Sequence, residues 1–288
     1  MSSSGARLRA ALVETKPLII VGVFNALTAR MAARAGFRAV YQSGAALSAS
    51  LAAVPDVGLV TQTEFAEQGR YLAGAVTVPV LSDADAGFGE PLAVERTVRL
   101  FESAHLAGLH LEDQQSPKRC GHLSGKTLIS AEEMQAKLRA AVAARQDPDF
   151  VIVARTDARA VEGFDAAVDR ANAYVDAGAD LIFPEALESP DEFARFAEAV
   201  SVPLMANMTE FGQSPLLSAD ELGAMGYAAV LFPVTILRVA MKAVEAALQE
   251  LHRDGTQQAL LDRMQTRAEL YDLLGYEDYE ARDREYFQ

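Results

Sequence analysis

Apolar residues in this chain come in short, dense runs that recur along its whole length. LIIVGVF (18–24), AVYQSG (39–44), PVLSDAD (79–85) and GLHLED (108–113) are followed by FVIVART (150–156), LIFPEA (181–186), PLMANM (203–208) and AAVLFPV (228–234). Compact apolar runs of this length predict strands buried on both faces of a parallel sheet. Stretches with helical spacing separate them, among them 93–107, 130–145 and 164–179. Ala35-Gly36, Ala107-Gly108 and Ala177-Gly178 each precede a strand, where glycine suits the left-handed turn that closes a helix. Eight strands alternating with helices predict a (β/α)8 barrel of the TIM type. An open doubly wound sheet is the other arrangement, but no GxGxxG follows the first run. No linker or low-complexity tract divides the chain, so residues 1–288 are expected to form one barrel domain, with helical structure again at roughly 256–280 and a charged, tyrosine-bearing tail.

A barrel of this kind carries its active site at the C-terminal ends of its strands, and the polar residues fall there. The successive runs end in Tyr41-Gln42-Ser43-Gly44, Asp83-Ala84-Asp85, Glu112-Asp113, Arg155-Thr156-Asp157, Glu185, and Asn207 with Thr209. Asp83 and Asp85 are two residues apart, so their side chains point the same way. With Glu112 they form a carboxylate cluster that is costly unless a cation or protons offset it. Hard oxygen ligands at this spacing suit Mg²⁺ or Mn²⁺, with Asp56 of the VPDVG turn as an outer ligand. Zinc is disfavoured, because one cysteine and scattered histidines make no ligand set. Arg155 and Arg119 lie near, and Arg238 and Arg267 come later. Arginine forks grip carboxylates two bonds at a time, so a metal among arginines describes a pocket for a small di- or tricarboxylate. A Schiff base needs a lysine in the barrel mouth, and none of Lys16, Lys118, Lys126, Lys137 and Lys242 ends a strand.

The loop PKRCGHLSGK (117–126) holds the one cysteine, Cys120. A lone thiol is more often a small buried hydrophobe, but this one has Lys118, Arg119 and His122 around it. Those cations lower a thiol's pKa and suit it to proton transfer, while Gly121 and Gly125 would let the loop close over substrate. A metal plus such an acid fits carbon–carbon cleavage through an enolate.

The formal net charge of −14 argues against nucleic-acid and polybasic membrane partners. AAVLFPVTIL (228–237) is the longest apolar run and is too short to span a bilayer. A single cysteine fits a reducing compartment, so a soluble cytoplasmic protein is expected.

The segments YQSG, VPDVG, SDADAGFG, GLHLEDQ, PDFVIVARTDA, FPEA, TEFG and MQTRAELY, with Lys118-Arg119-Cys120-Gly121-His122, cover nearly the whole chain. In them the chain resembles the isocitrate lyase and phosphoenolpyruvate mutase superfamily, and within it the 2-methylisocitrate lyases. The resemblance implies metal-dependent retro-Claisen cleavage of 2-methylisocitrate to pyruvate and succinate. The same superfamily includes 2,3-dimethylmalate lyases, isocitrate lyases and oxaloacetate hydrolases, and a barrel of this kind that binds carboxylates without catalysis is a further reading. By the family pattern Asp85 would bind Mg²⁺, with Asp83, Asp56 and Glu112 holding it directly or through water. Tyr41, Ser43, Gly44 and Ala45 would hold the keto-acid part, the last standing where the family's loop has a second glycine. Arg155, Glu185, Asn207, Thr209, Arg238 and Arg267 would grip carboxylates and hydroxyl, with Arg119, Gly121 and His122 on the loop. Cys120 would be the general acid, and Phe183 and Leu231 would accommodate the methyl group. The family's tetramers, dimers of helix-swapped dimers, imply subunit exchange of about 235–288.

Overall fold

Alternation within each strand sorts the side chains into two layers. In the computed structural model, which describes residues 2–119, 121–122 and 125–287, eight strands form one parallel sheet. They are β1 (Leu18–Val23), β2 (Val40–Gln42), β3 (Val80–Asp83), β4 (Gly108–Glu112), β5 (Val151–Thr156), β6 (Leu181–Pro184), β7 (Met205–Asn207) and β8 (Ala229–Phe232). Hydrogen-bonded neighbours run β6-β5-β4-β3-β2-β1-β8-β7. A single parallel bridge, Ile182 to Leu204, joins β6 to β7 and nearly closes the barrel. The expected (β/α)8 fold is the observed one, and all eight runs contain a strand.

One set of alternate residues, including Ile20, Tyr41, Leu81, Val153, Phe183, Met205 and Leu231, packs into the barrel interior. The other set, including Val21, Val40, Val80, Ile152, Ile182, Ala206 and Val230, packs under the surrounding helices. Apart from the exposed Ile19 on β1, both faces of the strands are therefore largely buried, which is why the runs read as continuously apolar. The helix Ser4–Glu14, which no apolar run announced, adds Leu8 and Ala11 to the interior cluster.

The helix starts follow local chemistry. Thr61 with Glu64, Ser130 with Glu133, and Ser218 with Glu221 form reciprocal capping boxes. Gly36 and Gly178 take positive φ values of 95° and 100° after their helices, as expected. Gly108 does not. It is the first residue of β4, where a Cβ would lie 2.8 Å from that of Val151, and the left-handed turn falls instead on His105 at φ 63°. Here a glycine before a strand marks close approach between β4 and β5 rather than a helix end.

The chain divides into two compact units, Met1–Ile236 and Leu237–Gln288. The second comprises most of the helix Thr235–Asp254, a 3₁₀ turn at Gln258–Arg263, and the helices Arg267–Leu274 and Tyr276–Tyr286. Met241, Val244, Leu248 and Leu251 form an exposed apolar stripe on the first of these helices.

Candidate active site

The interior rows of the barrel turn polar at their C-terminal ends. Leu81 is followed by Asp83, Val153 by Arg155, Phe183 by Glu185 and Met205 by Asn207, each two residues on and so on the same face. Gly108, His110 and Glu112 make the corresponding row on β4. All of these polar side chains are buried.

The carboxylates meet between β3 and β4. Beyond the strand, Glu112 N–H donates to the Asp85 carbonyl at 3.0 Å, so the two residues stay adjacent. Asp85 takes the left-handed region at φ 46°, which aspartate tolerates better than most residues. Its N–H donates to Asp83 Oδ1 at 2.9 Å, and Gly44 N–H donates to Asp83 Oδ2 at 3.1 Å. A Cβ on Gly44 would lie 2.5 Å from that oxygen, so the site requires glycine there. Lys118 enters from the loop: its ammonium donates to Asp56 and lies 2.7 Å from Asp85 Oδ1.

The electrostatics are those of a site short of positive charge. Burial pushes the Asp85 carboxyl up to about 7, with Lys118 opposing and Asp83 and Asp56 reinforcing the rise. Burial likewise holds Glu112 well above the usual carboxylate range, despite Arg155 and Lys118. Asp83 goes the other way: burial would raise it, but His110, Lys118, the Asp85 N–H and Arg155 together hold it low. Glu112 Oε1 is buried with no hydrogen-bond partner among the described residues. Among those residues no three carboxylate, imidazole or thiol groups converge as a ready-made cage. One or two direct carboxylates, completed by water, is the arrangement that Mg²⁺ prefers. The residues present therefore fit a hard divalent cation.

Facing the carboxylates is a second charged group. Arg155 NH1 lies 3.3 Å from Glu112 Oε2, its Nε 3.7 Å from Glu185 Oε2, and its Cζ 5.3 Å from the centre of the Phe183 ring. Glu185 accepts from Asn207 Nδ2 at 3.2 Å and lies 2.9 Å from His122 Nε2. Burial would raise the Glu185 carboxyl, yet Arg155, His122 and Asn207 hold it well below the usual range. His122 is itself held from outside, since Gln213 N–H donates to its Nδ1 at 3.0 Å. Gly121 lies so close above Arg155 and Glu185 that any side chain there would run into both.

The structure thus gathers Tyr41, Ser43, Gly44, Asp56, Asp83, Asp85, Glu112, Gly121, His122, Arg155, Phe183, Glu185 and Asn207 around one barrel mouth. Leu231 packs below with Tyr41 and Phe183. Ala45 and Thr209 are half-buried at the ends of β2 and β7. Arg119 does not turn inward: it is exposed, its guanidinium beside Gly125 and its backbone held on both sides by Gln114. Arg238 and Arg267 belong to the second unit, near the starts of its first two helices. Cys120 lies outside the described residues.

Two participants were not singled out in the sequence. His110 is wholly buried, bonded to the Tyr41 hydroxyl and 3.2 Å from Asp83 Oδ1. Its signal was present, since in GLHLE it shares the interior face with Glu112. In the sequence Lys118 is only a cation near the thiol, and nothing in the loop's pattern aims it at Asp56 and Asp85.

The profile of the phosphoenolpyruvate phosphomutase family matches residues 8–252. A 2-methylisocitrate lyase of Aeropyrum pernix is 54% identical over 95% of this chain and 88% of its own. The crystal structure of a 2,3-dimethylmalate lyase, described as a member of the PEP mutase/isocitrate lyase superfamily, superposes with a TM-score of 0.93 at 35% identity, covering 99% of this chain and 96% of that one. A phosphonopyruvate hydrolase solved with oxalate and Mg²⁺ superposes with a TM-score of 0.90 at 32% identity over all of both chains. With its barrel, its carboxylate cluster and these relatives, the chain belongs to the phosphoenolpyruvate phosphomutase family, within the isocitrate lyase and PEP mutase superfamily.

Proposed function

We propose that this protein is a divalent-metal-dependent carbon–carbon lyase that cleaves 2-methylisocitrate to pyruvate and succinate. The observation that carries the reading is the pairing, in one mouth, of an under-compensated carboxylate cluster with the Arg155, Glu185, Asn207 and His122 group. The Aeropyrum pernix relative supports the substrate. Mg²⁺ or Mn²⁺, held by Asp85 with Asp83, Asp56 and Glu112 directly or through water, would supply the charge that polarises the substrate's oxygens and steadies the developing keto acid.

The chain's own residues do the rest. Ser43, Gly44 and Ala45 hold the keto-acid half at the end of β2. Arg155, Asn207 and Thr209 grip the carboxylates, and Glu185 orients Arg155 and His122. Phe183 and Leu231 line the space for the methyl group. A base takes the hydroxyl proton, the oxygen's electron pair forms the carbonyl of pyruvate as the bond between the carbinol carbon and its neighbour breaks, and that bond's electron pair goes to the succinate carbon. Cys120, on the loop beside Arg119 and His122, delivers the proton that completes succinate.

We also read the assembly as a homotetramer that exchanges residues from about 235 to 288 between subunits. The exposed apolar stripe of Met241, Val244, Leu248 and Leu251 supports this. Among the described residues no helix is long and apolar enough to cross a membrane, and we place the enzyme in the cytoplasm, working on small carboxylates.

The test is an assay of purified protein with Mg²⁺ against 2-methylisocitrate, isocitrate, 2,3-dimethylmalate and oxaloacetate, following keto-acid formation. The highest kcat/KM is expected for the first. A higher value for any other overturns the substrate.

A further inference from the structure

Lys126 and Asp157 have no part in the site as assigned, yet both are buried beside it. Lys126 stands at the far end of the basic loop. Its ammonium donates to the Gly121 carbonyl and, at 2.9 Å, to Asp157 Oδ1. Asp157, just after β5, also accepts Arg155 Nε on Oδ2 at 3.0 Å and Arg155 NH2 on Oδ1 at 3.1 Å. Its backbone N–H is fixed in turn by Asp113 Oδ1 at 2.9 Å. One carboxylate thus holds two cations, one from the loop and one from the barrel wall.

Burying an ammonium is unfavourable unless its charge and protons are matched. The Arg155 fork already bonds both Asp157 oxygens, although the same guanidinium also faces Glu112 and Glu185. What Lys126 adds is the bond to Gly121. The loop's base is fastened by an antiparallel bridge between Gln114 and Leu128, and Lys126 ties the loop from within.

We propose that Lys126 is a positioning residue: by bonding both Asp157 and the Gly121 carbonyl, it sets Gly121 and His122 against Arg155 and Glu185. Asp157 is the shared counter-ion that keeps loop and wall in register. This rests on the reading that Gly121 and His122 line the substrate.

The test compares Lys126→Met, Lys126→Arg and Asp157→Asn with the parent, by amide hydrogen exchange of the peptide covering 114–127 and by kcat and KM on 2-methylisocitrate. In Lys126→Met, exchange in that peptide rises while the rest of the barrel exchanges as before. Its kcat falls about tenfold to a hundredfold with KM within about threefold of the parent, the loss expected when a reacting group is misplaced rather than removed. Lys126→Arg regains most of the kcat, and Asp157→Asn shows the same local rise in exchange. Unchanged exchange in both Lys126→Met and Asp157→Asn overturns the proposal. So does a rise spread through the whole barrel with a lowered melting temperature, which marks packing alone. If the parent does not cleave 2-methylisocitrate, the functional reading fails, and the exchange data still decide the role of Lys126.

Discussion

The ammonium of Lys118 lies 2.7 Å from Asp85 Oδ1 and also bonds Asp56, so a loop residue supplies the cation at the centre of the carboxylate cluster. Replacing it with methionine keeps the length and removes the charge. Metal-free Lys118→Met is expected to melt below the metal-free parent, because buried carboxylates lose their counter-charge. Its gain on adding Mg²⁺ should exceed that of the parent, by roughly 2–4 °C for each kcal/mol of added binding. Thermal denaturation in EDTA and in Mg²⁺ measures both. An equal gain in the two proteins would falsify the view that Lys118 and the metal answer the same charge.

Among the described residues, one buried oxygen of Glu112 has no hydrogen-bond partner. Glu112→Gln keeps the shape but supplies an amide where an anionic acceptor is wanted. Metal affinity, read by Mn²⁺ electron paramagnetic resonance, should weaken about 10- to 100-fold, the usual loss when a metal's supporting ligand is changed. Chelation of the parent should abolish turnover, and Mg²⁺ or Mn²⁺ should restore it. Full affinity in Glu112→Gln removes that residue from the metal's surroundings.

Cys120→Ser replaces the proposed acid with a much weaker one. Turnover should fall about 10²- to 10⁴-fold, the range that general acid catalysis contributes. Mg²⁺-dependent binding of pyruvate or succinate, measured by calorimetry, should survive. A variant that retains substantial kcat places the acid elsewhere.

Gly44→Ala tests a steric requirement. The new methyl would meet Asp83 Oδ2 at 2.5 Å and the Phe65 ring at 3.3 Å, displacing the carboxylate that holds the Gly44 and Asp85 amides. Overpacking of this kind costs about 1–3 kcal/mol, and activity should fall further than the melting temperature suggests. Wild-type kcat/KM would mean that Asp83 can shift without consequence.

Much of this was legible in the chain because two regularities coincide. Strands buried on both faces read as apolar runs, and barrel strands end in the site, so Asp83, Arg155, Glu185 and Asn207 could be located by counting in twos. Loops offer no such period. Lys118 and Lys126 flank the same basic segment, yet one turns to the carboxylates of β3 and the other to Asp157 behind β5. Arg119, between them in composition and expectation, is exposed instead. The glycines before the strands misled once, at Gly108, because close packing against Val151 and a left-handed turn both select for a missing side chain.

The barrel's single-bridge seam lies between β6 and β7, whose polar ends are Glu185 and Asn207. Elsewhere the backbone ladders fix the spacing of neighbouring strands. At this seam the stitch nearest the mouth is made by two side chains. The width of the pocket on that side is therefore a side-chain property. Through Arg155, which faces both Glu185 and Glu112, a change at this seam also reaches the carboxylates across the mouth.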